Sequence, residues 1–183
     1  FRDDDRELES VHDVVHLERT RHVGYPEIVA QVGSLLREPA LREARTVIDA
    51  TGVGVAVFDM FNEAYRRDEL GTTAPWPVTI TAGNEVNGLH IPKRELIANV
   101  VALSQTGRLR FAEGLALGDA IRHELAHFQS KTNERTGHTR FEARRESDHD
   151  DLVISVALAT FWEHRRVTPR GLRADGSYVD RDY

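Results

Sequence analysis

Thr46-Val47-Ile48-Asp49-Ala50-Thr51-Gly52-Val53-Gly54 is the stretch on which the fold of this chain turns. Three β-branched residues in a row favour a short strand. An acid closes the run, and a turn holding two glycines follows. Val57, Phe58, Phe61 and Tyr65 come next, spaced to share one face of a helix. A strand, a tight turn and a helix in that order form the opening half of a βαβ unit, in which parallel strands are joined through helices.

Working outward, the same alternation recurs. Upstream, Val11 to Arg19 alternates well enough to read as a strand, and the acidic stretch Asp3 to Glu9 before it reads as a hairpin loop. Gly24-Tyr25-Pro26 opens a helix, with proline tolerated in the first turn, and Ile28, Val29, Val32, Leu35 and Leu36 form its apolar stripe. Downstream, Pro77 to Thr81 is a strand, and Pro92-Lys93 starts a helix carrying Leu96, Ile97, Val100 and Val101 that stops at Gly107. Leu109-Arg110-Phe111 is a short strand, Gly118 to Ser130 a helix, and Asp150 to His164 a final, strongly apolar helix. The expected class is α/β.

A length of 183 residues fits one domain comfortably. Residues 1–166 are expected to form it, followed by a polar, basic tail over 167–183. The absence of cysteine excludes disulfides and thiolate metal sites. The longest apolar run, Leu152 to Trp162, is too short to span a bilayer, and the start of the chain carries no signal-peptide pattern. A cytoplasmic protein with no membrane partner is expected. A formal net charge of −6 argues against a protein that coats nucleic acid by bulk electrostatics. It leaves room for local grips, because basic residues cluster at Arg66-Arg67, Lys93-Arg94, Arg108 with Arg110, Arg144-Arg145, and Arg165 to Arg173. Each cluster alone is also what an ordinary solvated face looks like.

Three places carry candidate chemistry. Asp49 stands at the end of a strand, where ligands gather in open α/β sheets, although an Asx-turn or a helix cap would explain it too. Thr51-Gly52-Val53-Gly54 lacks the lysine of a phosphate loop. Asp150 and Asp151 precede the apolar helix. One cap is all a helix needs, and two acids driven inward by a buried helix are costly unless a cation offsets them. Hard carboxylate oxygens without cysteine suit Mg²⁺ or Mn²⁺ better than zinc. The third place, His123-Glu124-Leu125-Ala126-His127, matches the H-E-x-x-H zinc-protease pattern, with Glu142 or Glu146 as a conceivable third ligand. Helical phase speaks against it. With Leu117, Ile121, Leu125 and Phe128 as the buried stripe, His123 and His127 fall on the opposite face.

Val47 to Gly54, Pro77 to Gly83, Ile91 to Ile97 and His149-Asp150-Asp151-Leu152-Val153, taken in series, resemble the nuclease domain of the large terminase subunits of phages and prophages, across roughly residues 11 to 164. Arg122 to Gln129 resembles the helix that precedes the last acidic motif in that family. The resemblance implies an RNase H-like fold, a mixed sheet flanked by helices, and cleavage of double-stranded viral DNA during packaging with two Mg²⁺ or Mn²⁺ ions. It implies Asp49 as the second acid of a metal-binding triad and Asp150 or Asp151 as the third. Lys93, with Arg94, Arg144 and Arg145, is implied as a DNA contact. The family's first acid lies on a strand expected to precede Phe1, so the sheet is expected to lack its N-terminal strand here. The terminase ATPase half, the portal and the small terminase subunit are the implied partners. Two other expectations stand beside this one: a non-catalytic remnant or docking module of the same fold, and a zinc metalloprotease using His123, Glu124 and His127.

Overall fold

A computed structural model describes residues 10–129 and 150–164. The expected hairpin over Asp3 to Glu9, the pair Arg144-Arg145, and the tail over 167–183 lie outside the described residues. The described residues pack as two compact units, one drawn from residues 10–19 with 96–129 and 150–164, the other from Thr20–Glu95. Each is taken by itself.

The second unit contains the diagnostic stretch. Its elements are α1 (Tyr25–Leu36), β2 (Val47–Asp49), α2 (Gly54–Arg66), β3 (Trp76–Thr81) and β4 (His90–Pro92), which leads directly into α3 (Lys93–Gln105); β1 (His12–Val14) belongs to the other unit. Strand order is β2-β3-β4, and both ladders are parallel, with Asp49 opposite Val78 and Thr81 opposite Pro92. The antiparallel pairing expected of a mixed sheet is limited, among the described residues, to the bridge Asn87–His90. Val78 and Ile91 are wholly buried at the heart of this sheet.

The helices form for legible reasons. α1 starts on an extended Gly24 whose carbonyl accepts the amides of Glu27 and Ile28, and Pro26 sits in the first turn, where its missing N–H costs nothing. Val29, Gly33 and Leu36 then recur at helical spacing and are buried. They pack with Phe61 and Ala64 of α2 and with Leu70, while Ile48, Val57 and Tyr65 close the cluster from the side. Leu35, expected in the α1 stripe, is instead exposed. At 100° per residue it falls a step past Leu36, off the face that meets α2. Arg45 lies over the ring of Trp76, 4.4 Å from its centroid, and closes one edge of β3 by a cation–π contact.

The first unit holds β1, most of α3, β5 (Leu109–Phe111), α4 (Gly118–Gln129) and α5 (Asp151–His164). β1 and β5 pair in parallel, and β1 is much shorter than the Val11–Arg19 run suggested. α3 buries Leu96, Ile97, Val100 and Leu103, and α5 buries Leu152, Val153, Val156, Ala157, Leu158 and Phe161. α5 is apolar almost all round, as a helix inside a core must be. Its buried Thr160 is satisfied at both ends: its hydroxyl donates to the Val156 carbonyl at 3.0 Å and accepts from Asn99 Nδ2 at 3.3 Å. Among the described residues no helix is long and apolar enough to cross a membrane.

Candidate functional site

The chain leaves the sheet at Asp49 by a defined set of bonds. The Ala50 amide still donates to the Val78 carbonyl at 2.8 Å, as a strand residue would. One residue later the ladder is continued by a side chain, the Ile80 amide donating to Thr51 Oγ1 at 2.8 Å. The Thr51 amide donates in turn to Asp49 Oδ1 at 2.9 Å, which is an Asx-turn. Gly52 then takes a left-handed conformation (φ +58°), open to glycine at no steric cost. Gly54 lies against the Asp49 carbonyl, and a Cβ there would stand 3.0 Å from the carbonyl carbon. Tight packing thus sets where α2 begins and where Asp49 stands. Asp49 itself is exposed.

Because β2, β3 and β4 run parallel, their carboxyl ends share one edge of the sheet. That edge gathers Asp49 and Thr51 after β2, Ala82 and Gly83 after β3, and Lys93 and Arg94 after β4. Of the two cations, Lys93 is half-buried at the start of α3. Arg94 is exposed and donates to Oδ1 of Asn84 at 2.8 Å and to the Asn84 carbonyl, with Nε 3.6 Å from Glu95. It therefore ties the loop after β3 to the helix after β4. The other expected DNA contacts, Arg144 and Arg145, lie outside the described residues.

The start of α5 is held differently from the expectation. Asp150 occupies the cap position, its carbonyl accepting the Ile154 amide at 3.0 Å. The first-turn amides of Leu152 and Val153, which a capping side chain at Asp150 would normally take, donate instead to Oε2 of Glu124, both at 3.1 Å. The other oxygen of Glu124 accepts from Arg19, whose Nε also stands 3.8 Å from Asp151 Oδ2. Glu124 is 7% exposed and Arg19 19%. The buried helix does not drive both acids inward: Asp151 is 65% exposed and Asp150 half-buried. Asp150 and Asp151 stand ahead of Leu152 and Val153, the first residues of the helix that are buried.

This arrangement gives the H-E-x-x-H segment a different use. Both oxygens of Glu124 are engaged, one by Arg19 and the other by the α5 amides, and the side chain is buried, so this glutamate is used in holding the start of α5. His123 is exposed, as the phase of α4 requires; the side chain of His127 lies outside the described residues. Among the described residues no three histidines or acids converge as a metal-binding group. Mg²⁺ does not demand such a cage, since it keeps several waters and is commonly bound through one or two carboxylates with substrate phosphates completing its shell. Asp49, an exposed hard-oxygen donor at the end of a parallel strand, fits that kind of site.

Among the described residues, the clusters at Arg66-Arg67 and at Arg108 with Arg110 are engaged locally. Arg66 and Arg67 both reach Glu63, at 3.4 and 2.9 Å, and Arg108 donates to the Ser10 carbonyl at 2.9 Å. Arg110 grips Asp13, its partner in the β1–β5 register, through two bonds of 2.7 Å. That fork holds the Asp13 carboxyl below its ordinary range and raises Arg110 above its own. The sequence reading missed Arg19 and the capping use of Glu124. A lone arginine after a strand carries no pattern, and a glutamate inside a motif invites a chemical role before a structural one. β4 was missed because three residues ending in proline give too little alternation to see. No family model matches the chain, and no curated protein or solved structure matches it either.

Proposed function

We propose that this chain is a Mg²⁺- or Mn²⁺-dependent endonuclease acting on double-stranded DNA, with an RNase H-like fold of the terminase type. One observation carries the reading: an exposed aspartate, Asp49, closes a parallel strand at a turn into a helix, on the sheet edge that also starts α3 with Lys93 and Arg94. Ligands collect at the carboxyl ends of parallel strands, and this end offers an anion for a metal and cations for a phosphate.

In this reading Asp49 is a metal ligand, and Asp150 or Asp151, taken by itself at the start of α5, is the other acid that the terminase resemblance implies. When bound, the ions activate a water and stabilise the charge on the departing 3′ oxygen. The Thr51 amide fixes the Asp49 carboxylate through Oδ1, and Gly54 keeps the turn beneath it compact. Lys93 approaches a backbone phosphate, and Arg94 holds the loop beside it. A cut that depends on phosphates and metal alone reads little base sequence. The remaining terminase parts, the ATPase half, the portal and the small subunit, are the partners this proposal carries with it.

The Asx-turn at Asp49 favours one competitor, a docking module of the same fold in which the aspartate serves the turn alone. The experiment is plasmid cleavage by the protein as encoded, including whatever precedes Phe1. Nicking and linearisation in Mn²⁺ or Mg²⁺, abolished by chelation, support the nuclease. An intact plasmid under all metal conditions supports the docking module.

A further inference from the structure

Several arginines of this protein meet carboxylates: Arg66 and Arg67 reach Glu63, Arg110 reaches Asp13, Arg122 reaches Asp119 and Arg19 reaches Glu124. Arg94 is held in another way. Its Nη1 donates to Asn84 Oδ1 at 2.8 Å and its Nη2 to the Asn84 carbonyl, both neutral oxygens. The carboxylate of Glu95 stands 3.6 Å from Nε, beyond hydrogen-bond reach, and an ion pair so open to solvent contributes little. The guanidinium therefore spends its planar fork on acceptors that carry no charge. Two oxygens of a phosphate fit the same fork, and bonds to an anion are roughly twice as strong.

Arg94 follows β4 directly, on the sheet edge that carries Asp49. The far end of the loop after β3 is anchored without it. Asn87 and His90 exchange backbone bonds of 3.0 and 2.9 Å, the Leu89 carbonyl accepts the Thr79 amide at 3.0 Å, and Leu89 is buried. Parting Arg94 from Asn84 leaves those bonds in place.

We infer that Arg94 is a phosphate contact kept occupied by Asn84 in the free protein, and that a DNA backbone phosphate displaces Asn84 when duplex binds. Two bonds to neutral oxygens are exchanged for two to an anion, so the bond count is kept and the charge gains a partner. Asn84 competes with the substrate for one guanidinium and thereby lowers affinity. The inference rests on the nuclease reading, from which it takes duplex DNA as the ligand.

The test follows binding of a labelled, mixed-sequence duplex by fluorescence anisotropy in EDTA across a KCl series, with the protein as encoded. The parent is compared with Asn84→Ala, Arg94→Gln and the double variant. Asn84→Ala withdraws one competing acceptor and is expected to tighten binding by about 2- to 5-fold, the range of an exposed charged contact. Arg94→Gln should weaken binding and lower the slope of log affinity against log salt by about 0.9, the share of one phosphate. In the double variant the gain from Asn84→Ala should vanish, since no guanidinium is left to release. Asn84→Ser, which also withdraws the acceptor, decides the sign if Asn84→Ala does not fold. A latch that merely braces the loop gives the opposite sign. Binding by Asn84→Ala no tighter than the parent, a gain that persists in the double variant, or a salt slope untouched by Arg94→Gln each overturns the inference. In a parent that binds and cuts DNA, any of these leaves the nuclease intact. A parent that neither binds the duplex nor cuts DNA removes the nuclease reading and this inference together.

Discussion

Replacing Gly54 by alanine puts the geometry of the Asp49 turn under direct strain. Gly54 is the first residue of α2 and has an ordinary helical environment, so alanine is conformationally welcome and by propensity alone would gain up to about 1 kcal/mol. Space opposes it. The new Cβ would fall 3.0 Å from the Asp49 carbonyl carbon and closer still to its oxygen, whereas ordinary contact begins at 3.4 Å. The obstacle is backbone, which cannot swing away as a side-chain tip can. Overpacking costs about 1–3 kcal/mol, and a backbone obstacle this close puts it in the upper part of that range, about 2–3 kcal/mol; with a propensity gain of about 1 kcal/mol subtracted, the net loss is about 1–2 kcal/mol. That corresponds to roughly 5- to 30-fold in a local opening equilibrium. The assay is amide exchange at Ala50 and Ile80, whose bonds to the Val78 carbonyl and to Thr51 Oγ1 flank the turn. Both should exchange faster by about that factor. Gly118→Ala is the control, since its nearest new neighbour at 3.5 Å is the far end of the Arg122 side chain. Exchange at Ala50 and Ile80 as slow in Gly54→Ala as in the parent would refute the close approach, and with it the account of how Asp49 is placed.

Two further outcomes are expected. The Asp13 carboxyl titrates below its ordinary value of 3.8 because Arg110 grips its charged form. A depressed folded-state value means that its contribution is fully present above the ordinary value and is lost as pH falls through the folded one. Arg110→Ala should return the Asp13 carboxyl resonance to the ordinary range, and an unmoved titration would show the fork absent in solution. His123→Ala should leave thermal stability within about 0.5 kcal/mol, since the residue is exposed, and should leave DNA cleavage unaltered. Stoichiometric zinc lost in that variant would revive the metalloprotease.

Much of the fold was legible because helical periodicity survives in a single sequence. Val29, Leu36, Phe61, Ile97 and Val100 all lie where their spacing puts them. The strand at Val47 was legible because β-branched residues run straight into an acid and glycines. What failed to show was set by distant partners. β1 is cut to three residues by its pairing with β5, which no local alternation reveals. Glu124 is buried because Arg19 and the α5 amides meet it there, contacts made across 105 and 28 residues of chain. The candidate acids were visible as residue types at helix and strand ends, yet their surroundings were not. Asp151 is turned outward, and Asp49 shares its carboxylate with the turn.

That shared carboxylate supplies the most direct measurement of the central claim. Asp49→Asn keeps an oxygen for the Thr51 amide, so the Asx-turn survives and stability should change by no more than about 0.5 kcal/mol. The amide has no charge to offer a metal. Initial rates of plasmid cleavage in saturating Mn²⁺, measured side by side for the parent and Asp49→Asn, separate the two uses of one side chain. The nuclease account predicts a fall of orders of magnitude in a protein that remains folded. An Asp49→Asn protein that cuts DNA at the parent rate would contradict it, and would leave Asp49 as the residue that turns the chain.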